Sequence, residues 1–250
     1  MTNNNIYFIA NWKMNGNLAD INKSRSVIKL SKLKKYEKKK IIYCPPFTLL
    51  NIFYNKVKNS NISIGAQNCH TKTEYGAFTG SINAKLIKST GAKYIILGHS
   101  ENRSSGETDS IINEKIHSAL KENLKIIFCI GEKLSDKRKK NTIKILRKQI
   151  NNGLKGIKKF NNIIVAYEPV WAIGTGITPQ NSELIKNIKN IKKIFTKLKK
   201  SINIKILYGG SVDPKNSKEL AKLKEINGFL IGGSSLNTKK FIDIIKKSTN

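Results

Sequence analysis

Short apolar runs recur along the chain at Ile6 to Ala10, Ile41 to Cys44, Ile62 to Ala66, Tyr94 to Leu97, Ile126 to Cys129, Ile163 to Ala166, Ile204 to Leu207 and Gly228 to Ile231. Runs of this length, rich in β-branched and aromatic residues, are the pattern of strands. Between them apolar residues fall at helical spacing, as in Ile185, Ile188, Ile191, Ile194, Phe195 and Leu198. Strand and helix therefore alternate. The strand runs are apolar at every position rather than at every second one, which fits parallel strands covered on both faces. Eight such units in 250 residues, at about 30 residues each, predict a single α/β domain over residues 1–250: a (β/α)8 barrel of eight parallel strands with outer helices.

No apolar run approaches the roughly 20 residues needed to cross a bilayer. Met1 to Asn5 carries no basic residue, and the run behind it is too short for a secretory leader, so a cytoplasmic location and no membrane partner are expected. Cys44, Cys69 and Cys129 are odd in number and widely spaced. They read as buried reduced thiols rather than as a disulfide framework or a metal site.

Charge changes the picture only in part. The chain has 47 Lys+Arg against 16 Asp+Glu, a formal charge of +31, but only four of the basic residues are Arg: Arg25, Arg103, Arg138 and Arg147. Readers of nucleic acid favour Arg for bidentate base contacts and interleave aromatics with their basic residues. Here Lys lies in stretches that read as helical, such as Ser31 to Lys40 and Ile185 to Lys200, where it would form solvated faces. Lys, Ile and Asn share AT-rich codons. Genome composition therefore accounts for the charge, and no nucleic-acid partner is expected.

In a barrel of this kind the loops after the strand C-termini build the active site. Those positions hold Asn11, Trp12 and Lys13; Gln67 and Asn68; Gly98, His99, Ser100 and Glu101; Gly131 and Glu132; Glu168 and Pro169; Gly209, Gly210 and Ser211; and Gly232, Gly233 and Ser234. Polar and glycine residues gather at one rim. Glu168 and His99 are the acid–base candidates. A carboxylate base beside an imidazole suits proton abstraction next to a carbonyl, because the imidazole can stabilise charge developing on oxygen. Lys13 adds a fixed positive charge. Glycine pairs after the seventh and eighth strands suit a phosphate bound by backbone N–H groups, and without a Walker-type sequence that phosphate is a substrate's own monophosphate. The segment Pro169 to Pro179, with Gly174 and Gly176 inside it, reads as a hinged lid that excludes water from a reactive enediolate.

The segments Asn11–Asn15, Gly98–Glu101, Cys129–Glu132, Ala166–Gly176 and Tyr208–Val212 resemble triosephosphate isomerases, in order and over essentially the whole chain. The resemblance implies interconversion of dihydroxyacetone phosphate and D-glyceraldehyde 3-phosphate through a cis-enediolate, with no metal or organic cofactor. It also brings residue roles. Glu168 would shuttle the proton, and His99 would be the neutral electrophile. Lys13, with Asn11 beside it and Glu101 holding it, would stabilise the substrate oxygens and phosphate. Backbone N–H groups at Gly174, Ser211, Gly232 and Gly233 would bind the phosphate. Trp171 and Glu132 resemble the family's open-lid pair, and Tyr208 its closed-lid partner. The loop Cys69 to Gly80 resembles an arm that docks into a second copy near Asn11 and His99, which implies a homodimer.

Departures from the family pattern concentrate near that arm. Ser81 and Asn102 stand where the family commonly has a Glu and an Arg that form an ion pair. Loss of both together avoids stranding one buried charge, which would cost about 3–5 kcal/mol. The run Ser104 Ser105 Gly106 is one residue short of the usual pattern, and Ile177 replaces a common Lys. Another phosphosugar isomerase or epimerase on the same barrel is the alternative, and a basic nucleic-acid-binding protein a remote second. A Schiff-base aldolase is disfavoured because the only lysine on the later strand runs, Lys205, sits at a strand entrance.

Overall fold

The computed structural model describes residues 6–200 and 202–249. The strands are β1 (Tyr7–Asn11), β2 (Lys40–Cys44), β3 (Ile62–Ala66), β4 (Tyr94–Leu97), β5 (Lys125–Ile130), β6 (Ile163–Tyr167), β7 (Lys205–Tyr208) and β8 (Gly228–Ile231). They are parallel, each pairs with the next, and β8 closes on β1. This is the predicted eight-stranded barrel with helices around it, and the strand limits shift from the sequence reading by no more than one residue.

Side-chain alternation sorts each strand between two cores. Tyr7, Ile9, Ile42, Cys44, Tyr94, Ile96, Ile127, Cys129, Ile164, Ala166, Leu207 and Leu230 fill the barrel interior. Phe8, Ala10, Ile41, Tyr43, Ile95, Phe128, Val165 and Phe229 face outward into the layer shared with the helices. Both faces are dry, so each large strand side chain contributes on the order of 1.5–3 kcal/mol of burial. That is why the strand runs show no polar alternation.

Several helices start where a side chain accepts a free N–H group of the first turn. Thr108 caps Asp109–Lys121, and Asn237 caps Thr238–Lys247. The longest helix, Asn181–Leu198, buries Leu184, Ile188, Ile191, Ile194 and Phe195. The sequence stripe named Ile185 and Leu198 instead of Leu184. One stretch read as helical is not: the helix Arg25–Ser31 ends before the lysine run, and only a short 3-10 turn, Lys34–Tyr36, lies within Ser31 to Lys40. Leu33 is extended there, with φ −71° and ψ 136°. Like charges and a single buried apolar side chain, Tyr36, leave that stretch no apolar face to hold a helix against the barrel.

The same alternation carries inward-facing positions past the strand ends. Asn11 follows Tyr7 and Ile9, Glu168 follows Ile164 and Ala166, and Gly209 and Gly232 follow Leu207 and Leu230. These residues meet at the C-terminal mouth. Cys44, Cys69 and Cys129 are buried and unpaired, and burial raises all three thiols, Cys69 to about 12.

Candidate active site

A cavity of about 250 Å3 opens at that mouth, lined by Asn11, Lys13, His99, Glu168, Gly174, Ser211, Gly232 and Gly233 among others. Every residue expected to touch substrate therefore lines one space. Lys13 has a left-handed backbone, φ 53°, a conformation that costs a non-glycine residue on the order of 1–3 kcal/mol. Its surroundings hold it there. Its N–H donates to Asn11 Oδ1 at 3.1 Å, and its carbonyl accepts from Gln67 Nε2 at 2.8 Å. The ammonium pairs with Glu101 Oε1 at 2.7 Å.

His99 caps the short helix Ser100–Ser104, and its Nδ1 accepts the Glu101 N–H at 3.2 Å. An Nδ1 that accepts leaves the ring proton on Nε2, which faces Glu168 Oε1 at 3.2 Å. Burial lowers the His99 pKa, but the adjacent Glu168 carboxylate and its hydrogen bond, with Glu101 behind, outweigh burial and Lys13, and the net direction is upward. The raising influence is strongest while Glu168 stays against the ring.

Glu168 is 2% exposed, and its second oxygen accepts the Ser100 N–H at 3.4 Å. Its backbone crosses Gly131 so closely that a β-carbon at residue 131 would lie 1.7 Å from the Glu168 carbonyl oxygen. Only glycine fits there.

The segment expected to act as a lid begins with a 3-10 turn at Val170–Ala172. Trp171 Nε1 donates to Glu132 Oε1 at 2.9 Å, and Val170 N–H to the Glu132 carbonyl at 3.0 Å. Glu132 is wholly buried and also accepts from the Tyr167 hydroxyl. Burial raises its pKa, with Trp171 and Tyr167 opposing. Lys137 Nζ lies 3.6 Å from the Trp171 ring centre and 2.8 Å from Glu183. Gly174 and Gly176 have φ 69° and 74°. Among the described residues the buried Tyr208 hydroxyl has no hydrogen-bond partner.

Of the amides expected to bind phosphate, one is engaged within the protein. Gly233 starts the 3-10 turn Gly233–Ser235, whose first N–H groups have no acceptor within it. A β-carbon at Gly232 would touch Lys13 Cε at 3.4 Å. The Ser211 N–H, however, donates to the Ala172 carbonyl at 3.1 Å, and the Ser211 hydroxyl bridges Ala172 O and Gly176 N–H. The Ser211 amide is thus held by the segment that follows Pro169.

A family model described as triosephosphate isomerase matches residues 6–248. The chain belongs to the triosephosphate isomerase family. It is 41% identical over 244 residues to the triosephosphate isomerase of Dictyoglomus thermophilum, covering 95% of this chain and 97% of that protein. It is 38% identical to that of Aquifex aeolicus, over 94% and 96% of the two chains. The crystal structure of triosephosphate isomerase from Bartonella henselae superposes with a TM-score of 0.89 at 32% identity, covering 98% of this chain and 99% of that one. As a member of the family the chain is an aldose–ketose isomerase of glycolysis and gluconeogenesis, interconverting dihydroxyacetone phosphate and D-glyceraldehyde 3-phosphate.

Several supporting residues escaped the sequence reading. Gln67 was visible at the rim but carried no assigned role. It reaches both the Lys13 and Cys44 carbonyls at 2.8 Å. Arg103 Nε donates to the Gly98 carbonyl at 2.7 Å and its guanidinium pairs with Asp109 at 2.6 Å, bracing the backbone just before His99. Lys137 beneath the lid was indistinguishable by sequence from the other lysines.

Proposed function

We propose that this cavity carries out the isomerisation by a proton shuttle in which Glu168 is the base, His99 the neutral electrophile and Lys13 the cation that holds the substrate oxygens and phosphate. The observation that carries the reading is the Glu168–His99 contact of 3.2 Å inside a buried cavity, with the Lys13 ammonium at the same mouth. Glu168 takes a proton from the carbon beside the substrate carbonyl, and the electron pair moves onto the carbonyl oxygen. His99 Nε2–H and the Lys13 ammonium stabilise that oxygen. The hydroxyl proton passes from one substrate oxygen to the other through His99 Nε2, and return of the carbon-derived proton from Glu168 to the neighbouring carbon gives the isomer. No metal or organic cofactor takes part in these steps.

Glu168 has to leave the His99 ring to reach a substrate carbon, and doing so removes the main influence that raises the histidine pKa. Burial then favours the neutral ring, the form able to donate without delivering a full proton. Lid closure would free the Ser211 N–H from Ala172 for phosphate and give the Tyr208 hydroxyl a partner. Gly174, Gly232 and Gly233 supply the other phosphate amides.

The second part of the proposal is a homodimer through loop 69–80 in the cytoplasm. The arm is internally braced: His70 N–H donates to Ile82 O, Asn83 Nδ2 to Glu74 O, and the His70 and Phe78 rings lie 4.6 Å apart. It nonetheless exposes Tyr75 and Phe78, with Met14 96% exposed at the neighbouring rim. Exposed aromatic side chains on one loop suit an interface. Neither Ser81 nor Asn102 brings a charge to bury.

The test is turnover of glyceraldehyde 3-phosphate, coupled to reduction of the ketose product, for wild type and Glu168→Gln together. Loss of kcat by orders of magnitude with phosphate binding retained is expected; wild-type turnover in the variant removes Glu168 from the base role.

A further inference from the structure

The end of the barrel opposite the lid carries a second convergence of charge. Tyr7 pairs in register with Lys40, Tyr94 with Lys125, and Ile164 with Lys205. The first member of each pair faces the barrel interior. Paired residues on neighbouring parallel strands point to the same face, so the three lysines aim into the N-terminal mouth from three sides. Each is the exposed first residue of its strand.

Two tyrosines are built into the wall beneath them. Tyr7 and Tyr94 are 6% and 5% exposed. The Lys205 ammonium donates to the Tyr7 hydroxyl at 3.0 Å and lies 5.1 Å from that ring's centre; Lys125 lies 5.6 Å from the Tyr94 ring centre. Lys205 can reach across β8 because Gly228 is the residue there that pairs with Tyr7. A β-carbon at Gly228 would lie 2.1 Å from the Tyr7 carbonyl oxygen. Among the described residues, no ion pair involves Lys40, Lys125 or Lys205. Lysines on helices can splay apart in solvent, whereas these three are rooted on one ring of strands and face a common axis. The tyrosine rings beside Lys125 and Lys205 attract those ammonium groups but do not neutralise them.

We propose that the N-terminal mouth of the barrel is a second, non-catalytic site for a compact multivalent oxyanion of the phosphate class, held by the ammonium groups of Lys40, Lys125 and Lys205 and the hydroxyls of Tyr7 and Tyr94. Compactness follows from the layer above, where Ile9, Ile42, Ile127 and Leu207 close the interior. The ligand sits at the mouth and goes no deeper. Burial pushes the Tyr94 hydroxyl up to about 12, so it remains a donor at neutral pH. Five strand residues at about 3.3 Å each separate this site from the lid end, so occupancy stabilises the fold by mass action without touching the chemistry.

The test is calorimetric titration of the full chain with inorganic pyrophosphate at low ionic strength. Three proteins are compared: wild type, Lys40→Gln/Lys125→Gln/Lys205→Gln, and the control Lys186→Gln/Lys193→Gln/Lys197→Gln, which removes the same charge from one exposed helix. The mouth variant should take up one pyrophosphate fewer than the other two, with turnover equal in all three. Tyr7→Phe, which keeps the ring, should weaken that uptake about tenfold, the worth of one charge-assisted hydrogen bond. Identical isotherms for wild type and mouth variant overturn the site. So does an equal loss in both triple variants, which would mark general polycation behaviour, or unchanged affinity in Tyr7→Phe.

Discussion

Glu168 rests directly on Gly209: a β-carbon at residue 209 would lie 2.6 Å from Glu168 Cγ and 3.3 Å from its Oε1. The glycine is there for space, since it leaves room for the carboxylate between His99 and the barrel axis. Gly209→Ala should therefore displace the carboxylate while sparing the phosphate corner. Misplacement of a reacting group by about an ångström can cost on the order of a hundredfold in rate. Steady-state kinetics should show kcat down by about that factor with KM little changed; a wild-type kcat would mean that Glu168 adopts another position during turnover.

The candidate site at the rim was legible because alternation along a strand continues past its end. Glu168 lies two residues beyond Ala166 and Asn11 two beyond Ile9, so their inward direction could be counted from sequence. The Gly209 contact could not be counted, because it depends on how far β7 stands from β6. Lys137 was hidden for another reason. It is one of 43 lysines, and nothing local to it records that Trp171 folds back over its ammonium. The lysine run before β2 misled for the opposite reason, since its composition favours helix while its lack of an apolar stripe denies it a surface to pack on.

Gln67 should matter through Lys13. Its amide reaches the Lys13 and Cys44 carbonyls, each at 2.8 Å, and so clamps a backbone whose φ is unfavourable. Gln67→Met keeps the volume and removes both donors. Loss of two hydrogen bonds is worth about 1–3 kcal/mol, partly in stability and partly in Lys13 placement. Thermal unfolding should shift down by several degrees and kcat/KM should fall about tenfold. A drop in Tm with kcat/KM intact would leave Gln67 a purely structural brace.

Lys137 should bias the lid. Its ammonium sits 3.6 Å from the Trp171 ring centre and is itself held by Glu183 at 2.8 Å. Such a contact is worth about 0.5–2 kcal/mol, depending on how dry it is. Lys137→Met weakens the docked indole, so closure over ligand becomes easier. KM should fall by a factor of about two to five, and Trp171 fluorescence in the ligand-free enzyme should change. An unchanged KM and spectrum would show that Glu132 alone holds the indole.

Glu132 supplies a pH test. Burial raises its folded pKa above the ordinary carboxylate value of 4.5. A carboxyl raised in the folded state binds its proton more tightly there than in the unfolded chain. Its favourable contribution is therefore complete below the unfolded pKa and is lost as pH rises through the folded one. Glu132→Gln keeps an acceptor for Trp171 and has no charge to bury. Its Tm relative to wild type should improve between about pH 4 and about pH 7; a constant offset across that range would assign the effect to packing instead.

The net charge of +31 supplies a salt test of substrate encounter. The substrate is a dianion near neutral pH, and a strongly positive molecule raises the encounter rate at any mouth it surrounds. The effect reaches only as far as the Debye length, about 30 Å at 0.01 M salt and about 8 Å at 0.15 M. If encounter limits turnover at low substrate, kcat/KM should fall as salt rises over that interval while kcat stays level, because kcat reports steps after binding. Both should be measured with glyceraldehyde 3-phosphate at constant pH, using a salt whose anion does not enter the phosphate corner. A flat kcat/KM would mean that the lysines are too evenly spread to steer. A parallel fall in kcat would instead place the salt effect on the ammonium of Lys13, whose side chain is 28% exposed beside Glu101.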